Sequence, residues 1–303
     1  MKIISTGIYV PDRVEDNSYF VSKLGLETTS EWIANKTGII QRHYAFPNQT
    51  TSDLATIAAK NAVDDPSSLD LILVATTTPD MAIPSVATFV QRNLGAKCPA
   101  IDLNNACSGF VYALDVAYQY IKAGTYRKIL VIGADVASSI TNFKDRTTSP
   151  FFADGAGAVV VEKSDYDCVL ARHLAAEGCY EAISTVDTGM LSMDGKSIWD
   201  FALRVFPDTI RKLADQAGID VSQIDCIVPH QANAVMIKAC ADVLNYPHNK
   251  VFINAEKYGN TISATIPMAL HEAIEQHKIS RGDIFALVGY GAGLAWGGLL
   301  LKY

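Results

Sequence analysis

The 303-residue sequence has no long apolar run, no low-complexity linker and no excess of positive charge. No stretch approaches the roughly 20 apolar residues of a membrane-spanning helix, so we expect no membrane span. Lysine and arginine number 25 against 32 acidic residues, and the formal net charge of −7 argues against a general nucleic-acid-binding surface. Hydrophobic residues make up 49% and charged residues 19%, which predicts a sizeable buried core rather than disorder.

The sequence also shows no closely spaced cysteine pair and no pattern typical of a secretory signal peptide. The start, MKIISTGIYVPDRV, has one lysine and a short apolar run, which predicts a first strand rather than a signal peptide. Six cysteines are scattered without a CxxC pair or a spacing suited to zinc, so we expect no metal site and reduced thiols in a cytoplasmic protein. They are Cys98, Cys107, Cys168, Cys179, Cys226 and Cys240. Most such residues are simply small buried side chains.

Alternating strand and helix patterns predict an α/β protein. Continuous apolar runs at residues 69–75 and 128–132 are typical of strands covered on both faces, and residues 108–123 have helical spacing. A short echo, SSLDLILVATT in the first half and SQIDCIVPHQA in the second, favours two similar halves. We therefore divide the chain into residues 1–163 and 164–303, the first carrying a candidate nucleophile and the second its candidate partners.

Cys107 is the candidate nucleophile. The segment PAIDLNNACSGF, residues 99–110, reads as a strand, a tight turn and the start of a helix. Free backbone N–H groups and the positive end of a helix dipole meet there, and both favour the reactive thiolate over the thiol. Gly109 leaves room beside the sulfur for a bulky thioester. These features suit covalent acyl transfer, and the same local pattern also fits a buried structural cysteine.

Two further segments supply candidate partners for this cysteine. His230, in PHQAN at residues 229–233, follows a predicted strand, and α/β folds commonly place their chemistry at strand ends. Asn260, in YGNTISA at residues 258–264, lies in a loop directly before another helix. A lone histidine or asparagine in such a loop is more often structural. The small-residue turn GYGAGLAWG, residues 289–297, changes this balance because it can bring backbone N–H groups close to a reacting carbonyl.

The sequence resembles the β-ketoacyl-ACP synthase III family, the initiating condensing enzymes of type II fatty-acid synthesis. Seven motifs occur in the family's order and approximate spacing. They are STGIYVP (5–11), EWIANKTGI (31–39), NACSGF (105–110), DGAG (154–157), PHQAN (229–233), GNT (259–261) and the glycine-rich turn near the end. The resemblance implies a thiolase-like αβαβα fold, a homodimer and a Cys–His–Asn triad of Cys107, His230 and Asn260. Elongating condensing enzymes of the same fold have two histidines at the positions that His230 and Asn260 match here.

The resemblance also implies a two-stage reaction. Cys107 takes an acyl group from acyl-CoA, and the N–H groups of Cys107 and Ala292 form the oxyanion hole, Ala292 standing where the family usually has glycine. A malonyl thioester, carried by acyl carrier protein in this family, then loses CO₂ beside His230 and Asn260 and attacks the acyl group. No cofactor is implied beyond the CoA thioester itself.

Several positions match the family's CoA entrance and acyl pocket. Lys36 replaces the usual arginine, which keeps the charge and loses the planar fork. Without the resemblance, ordinary surface or core packing would be the preferred explanation of Trp32 and Trp199. The residues implied to bind substrate are Trp32, Lys36, Arg146, Trp199 and Asn233, and Ile83 is implied to reach across the dimer to the partner's acyl pocket.

The sequence departs from the family where an acidic carrier would dock. The family surrounds its tunnel mouth with basic residues, and here the matching positions are Asp200, Val235, Asp242 and Val243. Arg204, Arg211, Lys212 and Lys238 lie nearby in sequence. We therefore expect weaker charge-driven docking. The segment 178–193, expected to cover the acyl pocket, is also short for the family, which leaves the length of the primer open.

Two alternatives stay beside decarboxylative condensation. One keeps Cys107 and His230 but passes the acyl group to a hydroxyl, an amine or a different carbanion, as in relatives from specialised-metabolite pathways. The other is a catalytically silent dimer partner. Silent members of the family lose the cysteine, so the presence of Cys107, His230 and Asn260 argues against this last interpretation.

Overall fold

Two β-sheets organise the chain in the computed structural model, which describes residues 1–185 and 189–303. The strands in this part of the chain are β1 (Lys2–Tyr9), β2 (Arg13–Asp16), β3 (Gln41–Tyr44), β4 (Leu71–Ala75), β5 (Ala100–Leu103), β6 (Lys128–Val136), β7 (Asp154–Glu162), β8 (Val169–Ala176), β9 (Ile183–Ser184), β10 (Ser192–Met193), β11 (Cys226–Pro229), β12 (Ile284–Gly291) and β13 (Ala295–Lys302). The α-helices are α1 (Ser30–Thr37), α2 (Thr51–Ala62), α3 (Val86–Leu94), α4 (Gly109–Lys122), α5 (Gly195–Ala217), α6 (Ala234–Leu244), α7 (Ala255–Tyr258) and α8 (Thr265–Glu275).

Each main sheet draws its strands from one part of the chain. The first sheet has the order β1-β7-β6-β4-β5, with β4 parallel to β5 and β6, and β7 antiparallel to β6 and β1. The second has the order β11-β12-β13-β8, with only β11 and β12 parallel. The predicted boundary at residue 163 falls between β7 and β8, and the similarity of the two halves stays a prediction.

Helices cover both sheets and also separate them. One apolar cluster joins α4 and α8 to the facing sides of both sheets, so these two helices form a central layer. A second cluster packs α2 and α3 on the outer face of the first sheet, and a third packs α5 and α6 on the outer face of the second. The resulting order of helix, sheet, helix, sheet, helix confirms the predicted αβαβα fold.

Strand β4 shows why its sequence is apolar throughout. Leu71 and Leu73 point to the central helices, whereas Ile72 and Val74 point to α2 and α3. Alternate side chains of a strand lie on opposite faces, and both faces are covered here. All five residues of β4 are buried, which confirms the prediction of a doubly covered strand, although it begins at residue 71 rather than 69.

Glycines in the first sheet let the second half of the chain approach closely. A Cβ on Gly157 of β7 would lie 2.7 Å from the backbone nitrogen of Met268 in α8. A Cβ on Gly133 of β6 would overlap the carbonyl oxygen of Ser263. Only glycine fits at such contacts. The loop that carries Asn260 and the start of α8 therefore rest directly on the sheet that leads to Cys107.

Outside the two main sheets, β2 pairs with β3 and β9 pairs with β10. The short strands β9 and β10 belong to the segment 178–193, and residues 186–188 within it lie outside the described residues. Among the helices of the described ranges, none combines the length and apolar character needed to cross a membrane.

Candidate active site

Cys107 lies in a single helical turn, Ala106–Ser108, between β5 and α4. The chain reaches this turn through Ala106, whose φ of 45° is in the left-handed region that non-glycine residues rarely adopt. Such strain is found where the surrounding structure holds a residue in place. The side chain of Cys107 is 5% exposed at the amino-terminal end of α4, as its local sequence pattern predicts.

The turn between β12 and β13 lies directly over this cysteine. A Cβ on Gly291 would come within 2.7 Å of the Cβ of Cys107 and 2.9 Å of its sulfur, so a larger side chain would displace the nucleophile. The backbone N–H groups of Cys107 and Ala292 lie close enough to the sulfur to lower the pKa of its thiol. These are the two groups that the family resemblance implies as an oxyanion hole.

The resting state of Cys107 differs from the one expected from its sequence. Burial raises the pKa of the thiol to about 12, and the negative charge of Asp135 acts in the same direction. The two N–H groups lower the pKa but do not outweigh the loss of water. The helix end and the N–H groups favour the thiolate, as the sequence suggests, whereas burial in the surrounding core favours the thiol and has the larger effect on the pKa.

His230 follows Pro229 at the end of β11. Its backbone N–H donates to the carbonyl oxygen of Val288 across the parallel pair at 2.7 Å, and its Nδ1 lies 2.7 Å from the hydroxyl oxygen of Thr265. The ring of Tyr290 contacts the imidazole edge to face at 5.5 Å between centroids. Burial lowers the pKa of His230 to about 3, so the imidazole is neutral at physiological pH.

Asn260 is held by backbone contacts on both sides. Its N–H donates to the carbonyl oxygen of Phe151 at 2.9 Å, and its own carbonyl accepts from the N–H of Ala153 at 2.9 Å. The side-chain oxygen accepts from the N–H of Ile262 at 2.9 Å. This contact fixes the orientation of the amide, and the two hydrogens on Nδ2 are available to a ligand.

The three side chains line one cavity of about 460 Å³. The predicted substrate-binding residues Trp32, Lys36, Trp199 and Asn233 line the same cavity. A second cavity of about 230 Å³ shares Cys107, Phe152 and Ile183 with the first. Ala292 lines this second cavity together with Thr77, Asn104, Ile140, Ile183, Leu191 and Ile262. Cys107 therefore lies where two spaces join, one suited to an entering thioester and one suited to an acyl chain.

Two predicted residues lie apart from these cavities. Arg146 does not line either cavity, and its guanidinium donates to the carbonyl oxygen of Glu27 at 3.2 Å. Ile83 is 85% exposed on the surface of the chain, and its role across a dimer stays a prediction. In the described ranges 1–185 and 189–303, His, Cys, Asp and Glu side chains form no group of three or more suited to a metal ion.

Three residues around the site have no role predicted from the sequence. They are Asp135, Thr265 and Tyr290. Tyr290 belongs to the glycine-rich turn, but only the fold brings its ring against His230. Thr265 directly follows the predicted segment 258–264, and a threonine at the start of a helix gives no sign of a distant histidine. Asp135 accepts hydrogen bonds from Thr77 and Ser263 near Cys107.

We expect the neutral His230 to make stability depend on pH. An unfolded chain protonates histidine near pH 6.5, whereas the folded protein keeps this pKa near 3, so stability falls as the pH drops below 6.5. Between pH 7 and pH 5 the loss attributable to His230 is about 2 kcal/mol, at about 1.4 kcal/mol per pH unit. Urea unfolding of the wild type and His230→Gln at both pH values measures it. Equal losses in the two proteins would contradict the buried neutral state.

Comparisons with known proteins agree with the geometry. Sequence models described as 3-oxoacyl-[acyl-carrier-protein (ACP)] synthase III and as its C-terminal part match residues 101–178 and 214–303. The β-ketoacyl-[acyl-carrier-protein] synthase III of Aquifex aeolicus is 43% identical over 309 residues, which covers 100% of this chain and 99% of the relative. The chain belongs to the 3-oxoacyl-[acyl-carrier-protein] synthase III family. It is therefore an acyltransferase of the condensing type.

Solved structures of this synthase III family have the same fold. The crystal structure of the Aquifex aeolicus enzyme gives a TM-score of 0.97 at 42% identity, covering 100% of this chain and 99% of the other. The Thermus thermophilus enzyme gives 0.96 at 35% identity, with 100% and 99% covered. A priming β-ketosynthase from a polyketide pathway gives 0.93 at 30% identity, with 99% and 96% covered. The predicted thiolase-like fold is confirmed.

Proposed function

We propose that the protein condenses an acyl group from acyl-CoA with a malonyl thioester carried by acyl carrier protein, as in the initiation of fatty-acid synthesis. The observation that carries the proposal is the meeting of two cavities at Cys107, with His230 and Asn260 lining the larger one. Such an arrangement gives one site for holding an acyl group and another for generating a carbanion next to it.

In the first stage, the sulfur of Cys107 attacks the thioester carbonyl of acyl-CoA, and the proton that leaves the Cys107 thiol is balanced by the one that the departing CoA sulfur gains. The N–H groups of Cys107 and Ala292 hold the oxyanion, because they already converge on the sulfur. The carbon–sulfur bond to CoA then breaks, and the CoA thiolate takes up a proton as it leaves. The acyl group stays on Cys107 with its chain in the second cavity.

The larger cavity offers a path for the CoA carrier. Trp32 is partly exposed and can stack on a flat base, and Lys36 adds a positive charge beside it. Trp199 lies further along the same wall. Arg146 is a weaker candidate for this role because it lies outside the cavity lining. Asn233 also caps α6, since its side-chain oxygen accepts from the N–H of Met236 at 2.6 Å.

In the second stage, the malonyl thioester loses its carboxylate as CO₂, and the electron pair forms an enolate on the thioester. His230 and Asn260 donate hydrogen bonds to the enolate oxygen and stabilise its charge. The enolate carbon attacks the acyl group on Cys107, the bond to sulfur breaks, and the freed thiolate takes up a proton. The product is a 3-oxoacyl thioester on the carrier.

The proposal includes a homodimer, a cytoplasmic location and no cofactor beyond the CoA substrate. A dimer is supported by the exposed apolar side chains of Met81, Ile83 and Ile101. Ile101 belongs to β5, which is an edge strand of the first sheet and is open to pairing. In such a dimer Ile83 would close the acyl cavity of the second copy.

A second candidate function is condensation with an acceptor that is not carried by acyl carrier protein. Four basic residues of α5 and α6, the helices that contribute to the lining of the larger cavity, are paired with acids, which weakens attraction to an acidic carrier. The pairs are Lys196–Asp200 at 3.4 Å, Arg204–Glu177 at 3.2 Å, Lys212–Asp208 at 2.8 Å and Lys238–Glu256 at 3.4 Å. This observation supports a CoA-linked or small-molecule acceptor as the second candidate.

One experiment separates these functions. The acylated protein is mixed with malonyl-ACP and, separately, with malonyl-CoA, and the released CO₂ is measured. We expect release with malonyl-ACP, which supports initiation of fatty-acid synthesis. Release only with malonyl-CoA would support the second candidate. Acylated protein that releases no CO₂ with either substrate would contradict condensation and leave acyl transfer to another nucleophile.

A further inference from the structure

Thr265 is the residue that contacts the inner nitrogen of His230. Its hydroxyl oxygen lies 2.7 Å from Nδ1, and both side chains are 2% exposed. Thr265 begins helix α8 with helical backbone angles, φ −57° and ψ −48°, so its position is set by the first turn of that helix. The contact is therefore part of the buried framework rather than a surface arrangement.

The hydroxyl of Thr265 has one proton and two neighbours that can accept it. The carbonyl oxygen of Ile262 lies 2.9 Å away, slightly farther than Nδ1. That carbonyl already accepts the backbone N–H of Thr265. When the hydroxyl turns toward His230, the carbonyl consequently keeps a partner, and no buried polar group is left without one.

The direction of this hydrogen bond decides what His230 can do. A neutral imidazole has one N–H, and the hydrogen bond made by one ring nitrogen determines which nitrogen carries the proton. If Thr265 donates to Nδ1, the proton is on Nε2, which can donate to a ligand. If Nδ1 donates to Thr265, Nε2 presents a lone pair, which would repel an enolate oxygen. Only the first arrangement can stabilise the enolate.

We propose that Thr265 is a positioning residue that donates its hydroxyl proton to Nδ1 of His230 and so holds the Nε2–H tautomer required for decarboxylation. The inference rests on the proposed condensation. This tautomer also explains why His230 acts in the second stage and not in the first, because a ring with Nε2 protonated cannot accept the thiol proton of Cys107. During acylation the thiol proton of Cys107 then passes to the departing CoA sulfur, the two N–H groups hold the oxyanion, and His230 serves the second stage.

The test compares Thr265→Val with Thr265→Ser. Valine keeps the branched shape without the hydroxyl, and serine keeps the hydroxyl without the methyl group. We expect Thr265→Val to lower CO₂ release from malonyl thioester by about 10- to 100-fold, by analogy with the loss seen when the hydrogen-bond partner of a metal-bound histidine is removed. The rate of Cys107 acylation, monitored by mass spectrometry, should stay within about threefold of the wild type. Thr265→Ser restores CO₂ release to within about threefold of the wild type.

Thr209→Val is the matched control. Thr209 is fully buried, and its hydroxyl has no hydrogen-bond partner among the residues that the structure describes. The control therefore removes a buried threonine hydroxyl away from His230, and we expect both stages to proceed as in the wild type. Normal CO₂ release in Thr265→Val, or equal losses in both stages with no rescue by serine, would overturn the proposal.

A spectroscopic measurement tests the tautomer without relying on turnover. The ¹⁵N shifts of histidine-labelled protein distinguish a protonated ring nitrogen from a bare one, and comparison with His230→Gln assigns the signals. We expect Nε2 to be protonated in the wild type and in Thr265→Ser, and this preference to weaken in Thr265→Val. A proton on Nδ1 in the wild type would overturn the inference. If no variant releases CO₂, the proposed condensation fails while this spectrum still decides the tautomer.

Discussion

Replacing Cys107 with alanine removes the acyl-enzyme altogether. Mass spectrometry of the intact protein after incubation with acyl-CoA should show the added acyl mass in the wild type and none in Cys107→Ala. Cys107 is the cysteine at which the two cavities meet, and both converging N–H groups point at its sulfur. Alanine leaves the shape of the site nearly unchanged but provides no nucleophile, so condensation should fall to background.

Cys240→Ala is the matched control for this experiment. Cys240 is also a buried thiol whose pKa burial raises to about 12, yet it lines neither of the two cavities. We expect this variant to carry the same acyl adduct as the wild type. An adduct that persists in Cys107→Ala, or one that disappears in Cys240→Ala, would place the nucleophile elsewhere.

Replacing Asn260 with aspartate should block the second stage while sparing the first. The side chains have nearly the same shape, and the Oδ1 contact with the N–H of Ile262 can be kept. The change removes the Nδ2 donor and substitutes an acceptor, which faces the developing enolate. Loss of one such donor costs about 3 kcal/mol, so we expect CO₂ release to fall at least about 100-fold.

Acylation of Cys107, the first stage, is the internal control for Asn260→Asp. Acylation of Cys107 in Asn260→Asp should stay within about threefold of the wild type, because the oxyanion donors of the first stage are the N–H groups of Cys107 and Ala292. Asn260→Ala, which removes the donor without adding an oxygen, should lose somewhat less activity. Parallel losses of acylation and CO₂ release would mean that Asn260 supports the fold rather than the enolate.

Much of the framework of the site could be predicted from local pattern. The apolar runs of β4 and β6 indicate strands covered on both faces, and the helical spacing after Cys107 indicates α4, which ends at Lys122 as expected from Gly124. The order of motifs indicates the family, which the comparisons confirm. Strand and helix patterns depend on residues that are neighbours along the chain, so a short segment is enough to predict them. The order of the motifs is a property of the whole sequence.

The ionisation of the site could not be predicted in the same way. The turn around Cys107 suggests a thiolate, whereas burial raises the pKa of its thiol to about 12. Gly291, from the second half of the chain, packs over the sulfur and contributes to its burial. Asp135, from the first half, adds a negative charge that raises the same pKa. Desolvation depends on everything that surrounds a group in space, and no local motif records it.

The α/β class, the candidate nucleophile and the family can be predicted from the chain alone, because hydrophobic periodicity and motif order are properties of the sequence. The folded structure is needed to show that Cys107, His230 and Asn260 line one cavity, that burial keeps His230 neutral, and that Thr265 contacts its inner nitrogen. Hydrogen bonds and burial act between atoms that are close in space, whatever their separation in sequence. Thr265 lies 35 residues from His230 along the chain, and folding places their side chains 2.7 Å apart.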